Sequence, residues 1–426
     1  MANSFEIELS CSFCGRVQSL VDQLIEGPGV YICNECLRVA QGMLDANKPQ
    51  KPESSKKVID VNNLPTPKEI FNHLSEYVIG QDNAKQALSV AVYNHYKRIL
   101  AIENGITKDE TEINKSNVLI IGNTGTGKTY LAQTLARIMK VPFAIVDATT
   151  LTQAGYVGED VENILVRLVQ SADGDVQKAE KGIIYIDEID KISRKGDNPT
   201  ITRDVSGEGV QQSLLKIIEG TTANIPEKNT VDRRKHPGQD LVQIDTKDIL
   251  FIVGGAFDGL EAILKARDTS AKIGFGAKLK NSEIEHNIFD NVRPLDLQRF
   301  GLIPELIGRL PVITSVDNLS EETMLRILTE PKNSLVKQFK KLFALDDVKL
   351  KFEKDALREI VKQSTQFKTG ARGLRSIMEK TLEPIMFEIP SNPNIAEVVI
   401  TKKAVQGLDA PKIVNVDFAE LTRKRA

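Results

Sequence analysis

The run Val118-Leu119-Ile120-Ile121-Gly122-Asn123-Thr124-Gly125-Thr126-Gly127-Lys128-Thr129 constrains this 426-residue chain more than any other segment. Four consecutive apolar residues suit a strand buried on both faces. The stretch behind them fits G-x-x-x-x-G-K-[ST], and the residues from Tyr130 to Met139 then read as a helix. In that strand-loop-helix order, glycines let backbone N–H groups wrap phosphates, and the helix N-terminus adds partial positive charge. Gly122, Asn123, Thr124, Gly125, Thr126 and Gly127 would form the cradle. Lys128 would neutralise the β- and γ-phosphates, and the Thr129 hydroxyl would bind Mg2+. ATP and Mg2+ are therefore the expected nucleotide and ion.

A phosphate loop of this kind needs an acidic partner on a neighbouring strand. Ile183-Ile184-Tyr185-Ile186-Asp187-Glu188 supplies one. Asp187, at the strand end, is placed to help hold Mg2+, and Glu188 to polarise an attacking water as general base. Phe143-Ala144-Ile145-Val146 and Ile249-Leu250-Phe251-Ile252-Val253 read as further buried strands. Helical stripes such as Val161, Ile164, Leu165 and Leu168 lie between them. Strands alternating with helices predict an α/β fold with a parallel sheet covered on both faces.

All four cysteines fall within the first 36 residues, as Cys11-x-x-Cys14, an 18-residue interval, and Cys33-x-x-Cys36. This is the spacing of a four-thiolate zinc site. Disulfides are disfavoured in a reducing compartment, and a thioredoxin-like redox site needs one such pair beside a βαβ pattern, not two in a short segment. Four thiolates leave no open coordination position, so Zn2+ is expected to be structural. A helix is expected from the second pair to about Asp45, with Leu37, Ala40 and Leu44 on one stripe. That stripe either pairs with a second copy of the module or covers the zinc loops.

These features divide the chain into a zinc-binding domain at 1–46, a flexible linker at 47–64, a large ATPase domain at 65–317 and a small domain at 318–426. The linker, rich in Lys, Pro and Ser, cannot build a core. Past Asp317 the pattern turns mostly helical. Ser320 with Glu321 and Glu322 marks a helix start. A later helix from about Gly370 carries Leu374, Ile377, Met378 and Leu382 on one face, and short strands are plausible at 348–352 and 398–400.

In combination these residues resemble the ClpX family of bacterial AAA+ protein unfoldases, the ATPase partners of the ClpP peptidase. The resemblance spans nearly the whole chain and includes the four-cysteine module. It implies a homo-hexameric ring that unfolds tagged proteins, threads them through its pore and delivers them to ClpP, with adaptors assisting. By similarity Val78 and Ile79 line the adenine pocket, a role for which plain core packing is the alternative. Gly155-Tyr156-Val157-Gly158 resembles the substrate-gripping pore loop. Without that likeness it reads as a turn. Arg203 lies in a stretch similar to the second pore loop, and Arg234-Lys235-His236 matches a basic loop at the pore mouth, otherwise a solvated charge run. Arg309, in Leu302-Ile303-Pro304-Glu305-Leu306-Ile307-Gly308-Arg309, corresponds to the arginine that reaches a neighbouring subunit's nucleotide; the alternative is a surface ion pair. Arg372 looks like the second sensor, or else a solvated residue at a helix start. Ile273-Gly274-Phe275 resembles the ClpP-docking tripeptide, and burial in the core is the competing reading.

Three departures stand out, one being Asp232-Arg233 ahead of the basic loop, where relatives often have glycines that would give the loop mobility. Asn123 occupies a position usually filled by Pro, and since backbone amides hold the phosphates, binding is expected to survive. Val253-Gly254-Gly255-Ala256 offers no polar side chain of the first-sensor type.

With 56 Lys+Arg against 58 Asp+Glu, the charge balance argues against coating nucleic acid or acidic membranes. The competing reading, a zinc-finger ATPase that remodels nucleic acid, predicts a basic finger. Residues 1–45 instead carry only Arg16 and Arg38 against Glu6, Glu8, Asp22, Glu26, Glu35 and Asp45. No apolar run is long enough to cross a bilayer, and the first eight residues lack the features of a secretory leader. The expected location is the cytoplasm.

Overall fold

The computed structural model describes residues 9–47, 64–105, 113–152, 159–194, 207–226, 241–270, 287–367 and 369–415. They fall into two compact units that divide between Asp60 and Val61.

The first unit is built on its cysteines. Cys11 and Cys14 flank a tight turn in which Gly15 N–H donates to the Cys11 carbonyl at 2.8 Å. Gly15 has φ +74°, a left-handed conformation that glycine adopts without penalty. Leu24–Gly27 and Val30–Cys33 form an antiparallel hairpin, and the helix Asn34–Asn47 follows at once. Cys33 therefore ends a strand while Cys36 sits in the first helical turn. Leu37 and Val39 on that helix are exposed.

The second unit centres on a five-stranded parallel sheet. Its order is Val312–Ser315, Val118–Ile121, Leu250–Gly255, Ile183–Asp187, Phe143–Asp147. The three central strands have nearly every residue buried, because helices cover both faces. The edge strand Phe143–Asp147 alternates instead, with Ile145 exposed. The other edge strand, Val312–Ser315, contains only two large apolar residues, too few for the apolar run of a buried strand. The helix that follows Val78 and Ile79 is the 22-residue Asp82–Glu103, which buries Leu88, Val92, Tyr96 and Ile99.

The expected helix at Val161 to Leu168 is Asn163–Ser171, which leaves Val161 just ahead of it. The four buried strands expected from the apolar runs are all present, within one or two residues of the expected limits, and the short strand expected at 398–400 begins three residues earlier, at Ile395.

Four helices, Glu321–Thr329, Leu335–Ala344, Lys354–Gln366 and Ala371–Glu388, pack with a three-stranded sheet. That sheet joins Lys349–Phe352 in parallel to Ile395–Ile400, with Lys412–Asn415 antiparallel on the far side. Ser320 caps the first helix, its Oγ accepting from Thr323 N–H at 3.1 Å. Leu374, Met378 and Leu382 are fully buried in a core with Leu328, Phe343 and Ile360. Burial of each such side chain contributes about 1.5–3 kcal/mol.

The junction between sheet and helical part is closely tied. Val316 N–H donates to Ile121 at 2.8 Å. Gln81 grips the backbone of Asp317 from both sides, donating from Nε2 to its carbonyl at 2.9 Å and accepting its N–H at Oε1 at 2.6 Å. Lys332 pairs with Glu76 at 2.7 Å.

Candidate functional site

Ligands of open parallel sheets bind beyond the carboxyl ends of the strands. There the strand Val118–Ile121 runs into Gly122, whose φ is +155° and whose missing side chain makes room for Val316. A β-carbon at 122 would lie 2.3 Å from Val316 Cγ2. Gly125 and Gly127 also have positive φ. Asn123 accepts from Thr126 Oγ1 through its carbonyl at 2.7 Å, and its side chain donates to Asn318 Oδ1 at 2.7 Å.

Lys128 opens the helix Lys128–Met139 and is largely buried. Its ammonium donates to the carbonyls of Gly122 and Asn123, across the mouth of the loop. Burial lowers its pKa, Asp187 and Asp190 pull the other way, and the Arg372 charge adds to the lowering.

Thr129 Oγ1 donates to Asp187 Oδ2 at 2.7 Å. The opposite oxygen, Oδ1, accepts Glu188 N–H at 3.0 Å and Tyr185 Oη at 3.2 Å. A hydroxyl and a carboxylate side by side suit a hard divalent cation, which prefers oxygen ligands. Glu188 has φ +57°, uncommon for a residue with a side chain. That backbone turns it off the strand's line, next to Asp187. Desolvation raises its pKa, and the neighbouring carboxylates of Asp147, Asp187 and Asp190 raise it further.

Thr124 to Thr129, Asp187 and Glu188 line a cavity of about 480 Å3; Gly122 and Asn123 are not among its lining residues. Tyr77, Val78 and Ile79 form part of its wall, together with Leu319, Ile327 and Leu335 from the helical part. Arg372 and Arg375 face it from the start of the helix Ala371–Glu388. Ala371 N–H donates to the Gly125 carbonyl at 3.3 Å, so the phosphate loop touches the helical part directly. Leu319, Ile327, Leu335 and Arg375 were not singled out from sequence. Three read as ordinary core residues and the fourth as a solvated arginine, and only the packing of the helical part against the loop reveals them.

Arg309 is not among the residues lining this cavity. It caps the short helix Pro304–Gly308, is more than half exposed, and pairs with Glu219 at 2.9 Å. Tyr156, Val157, Arg203, Arg234, Lys235, His236, Ile273, Gly274 and Phe275 lie outside the described residues.

In the first unit the four cysteine sulfurs lie within 4.8 Å of one another, and Cys14 Sγ is 3.8 Å from Cys33 Sγ. Zinc–sulfur bonds of about 2.3 Å put the sulfurs of a tetrahedron about 3.8 Å apart. Cys33 N–H points at Cys11 Sγ at 3.3 Å, and Cys36 N–H at Cys33 Sγ at 3.4 Å. Burial raises the Cys11 thiol, but backbone N–H groups of Cys14, Phe13 and Cys33 outweigh it and bring it down to about 6. Cys36 is pushed up to about 12 by its hydrogen bonds to Cys14 and Cys33. Four thiolates this close need a cation among them, and the site fits one zinc.

Residues 113–313 match the family model of the AAA domain (Cdc48 subfamily), and residues 319–402 that of the C-terminal, D2-small domain of ClpB protein. Residues 9–46 match the ClpX C4-type zinc finger. The chain is a ClpX-like AAA+ protein. The ClpX-like chain is thus a Clp-type AAA+ chaperone with an ATPase domain, a nucleotide site and a zinc-binding finger. Among its described residues no helix is long and apolar enough to cross a membrane.

Stripping zinc from the ClpX-like chain with a strong chelator should unfold residues 9–47, because so short a module buries little core of its own. Hydrogen exchange would show this as loss of amide protection in 24–47, with the sheet unit still protected. Persisting protection in a zinc-free sample would make the metal dispensable to the fold.

Proposed function

We propose that the ClpX-like chain is an ATP-driven protein unfoldase. It forms a hexameric ring, pulls tagged proteins through the pore and passes them to the ClpP peptidase in the cytoplasm. The observation that carries the reading is the contact of Thr129 with Asp187 beside Glu188, in a pocket walled by both the sheet and the helical part.

In this reading the amides of residues 122–127 bind the phosphates, and Lys128 balances their charge. Val78, Ile79 and Leu319 hold the adenine by apolar contact. Thr129 and Asp187 hold Mg2+, which when bound supplies charge neutralisation at the β- and γ-phosphates. Glu188 accepts a proton from water as that water attacks the γ-phosphorus. Arg309 acts in trans on the neighbouring subunit's γ-phosphate. Arg372 reports the state of the nucleotide to the helical part. The Gly125–Ala371 hydrogen bond supports that last step, since any shift of the phosphate loop bears on the same helix.

Tyr156 and Val157 grip the polypeptide, with Arg203, Arg234, Lys235 and His236 along its path. Ile273, Gly274 and Phe275 dock the ring on ClpP. The helix stripe that begins with the exposed Leu37 and continues through Ala40 pairs with a second copy of the finger. The acidic finger speaks against a nucleic-acid partner. The three domains are those drawn from sequence, at 1–46, 65–317 and 318–426, with the linker at 47–64.

The test is ATP-dependent loss of native fluorescence from a stably folded reporter with an unstructured C-terminal tag. ATP hydrolysis without such loss, across tags and with adaptor, would refute the unfoldase reading. Tyr156→Ala should hydrolyse ATP yet unfold the reporter at least about tenfold more slowly, since the aromatic grip is lost. Unfolding at the wild-type rate would remove Tyr156 from the gripping role. Deletion of 273–275 should spare unfolding and abolish degradation when ClpP is added. Continued degradation would disprove the docking assignment.

A further inference from the structure

The central strand Leu250–Gly255 ends in two glycines, although glycine weakens a strand interior. Neighbouring groups account for both. A β-carbon on Gly255 would lie 2.7 Å from Asp190 Oδ1 and 2.6 Å from the Phe257 ring. A β-carbon on Gly254 would lie 2.1 Å from the Tyr185 hydroxyl. The place where residue 254 would carry a polar side chain is thus taken by a hydroxyl from the adjacent strand.

Tyr185 is fully buried, and a buried hydroxyl needs a partner. Its partner is Asp187 Oδ1 at 3.2 Å. Residues two apart on a strand share a face, so the hydroxyl and the carboxylate meet without distortion. Thr129 holds the other carboxylate oxygen at 2.7 Å. Asp187 is therefore anchored at both oxygens, and its plane is set before any ion arrives. A phenylalanine at 185 would fill the same core space, so packing alone does not call for the hydroxyl.

We propose that Tyr185 is a positioning residue for the metal site: its hydroxyl, in space left open by Gly254, orients Asp187 toward the divalent cation of the bound nucleotide. The inference rests on the assignment of that cation to Thr129 and Asp187.

The experiment uses the full chain loaded with ADP and Mn2+ as the paramagnetic probe, with free Mn2+ followed by electron paramagnetic resonance. Wild type, Tyr185→Phe and Asp187→Asn are compared. ADP affinity is also measured in EDTA with a fluorescent analogue, and folding is checked by thermal melting. Tyr185→Phe should weaken Mn2+ binding about tenfold to a hundredfold, the effect of losing a hydrogen bond to a charged acceptor. Metal-free ADP binding should stay within about twofold, because the Tyr185 hydroxyl meets Asp187 and Thr129, the two groups assigned to the ion. Asp187→Asn should weaken Mn2+ at least as much.

Unchanged Mn2+ affinity in Tyr185→Phe, with a clear loss in Asp187→Asn, would overturn the role of Tyr185 and leave the metal assignment standing. No loss in either variant would overturn both. An equal fall in metal-free and Mn2+-dependent binding, or a variant that fails to melt as a folded protein, would assign Tyr185 to packing and overturn the inference too.

Discussion

Glu188→Gln is expected to keep ATP bound and to cut its hydrolysis by a factor of about 10^2 to 10^4, the range a positioned general base contributes. The side chain follows Asp187 at the end of the strand, and its left-handed backbone turns it away from the sheet. Glutamine is nearly isosteric and can keep that conformation, so the variant should fold and bind. Single-turnover hydrolysis with pre-bound ATP isolates the chemical step from binding and release. The pH profile adds a second readout. The Glu188 pKa lies above its ordinary value through desolvation and the charges of Asp147, Asp187 and Asp190. A base works ionised, so the wild-type rate should fall as pH drops through that raised pKa, at a higher pH than an unperturbed glutamate would give. The glutamine variant should show no such limb. Wild-type turnover in Glu188→Gln would assign activation of water elsewhere.

Arg309→Ala should cost still more, about 10^3 to 10^5 in kcat if the guanidinium stabilises transition-state charge from a neighbouring subunit. The side chain makes an exposed pair with Glu219 and does not line the cavity of its own chain. An exposed pair of that kind is worth about 0–1 kcal/mol, so its loss cannot imitate the expected effect by destabilising the fold. Mixing gives the decisive comparison. Lys128→Ala subunits cannot use their own pockets but still present Arg309. Arg309→Ala subunits keep intact pockets but present nothing. Each alone should be nearly inactive, and mixed rings should recover hydrolysis. Mixtures no better than the separate variants would place Arg309 outside the neighbour's site.

How legible each part was depended on how local its signal is. Lys128, Thr129, Asp187 and Glu188 stand within two short segments, each next to a continuous apolar strand; the two strands are not the neighbours that the sequence suggested but flank Leu250–Gly255, which holds their ends one strand apart. The four cysteines were equally plain, since thiolate spacing is a property of eight residues. The edge strand Val312–Ser315 escaped because half of it is polar, and Thr314 and Ser315 are buried nonetheless. Leu319, Ile327 and Leu335 escaped for the opposite reason. An apolar residue that walls a nucleotide pocket has the same periodicity as one that fills a core. Tyr185 lay inside the strand used to find Asp187, yet its hydroxyl matters only because a residue 69 positions later has no side chain.

The double grip of Gln81 on Asp317 leaves a short stretch of chain between the sheet and the helical part. Up to Asp317 the chain is fastened to the sheet, and from Ser320 onward it is wound into a capped helix. Only Asn318 and Leu319 are left to act as the axle. One of them is tethered to the phosphate loop through Asn123, and the other is part of the pocket wall. If the proposed ATPase cycle turns the helical part against the sheet, the turn would start at this two-residue joint, beside the pocket that would hold the nucleotide.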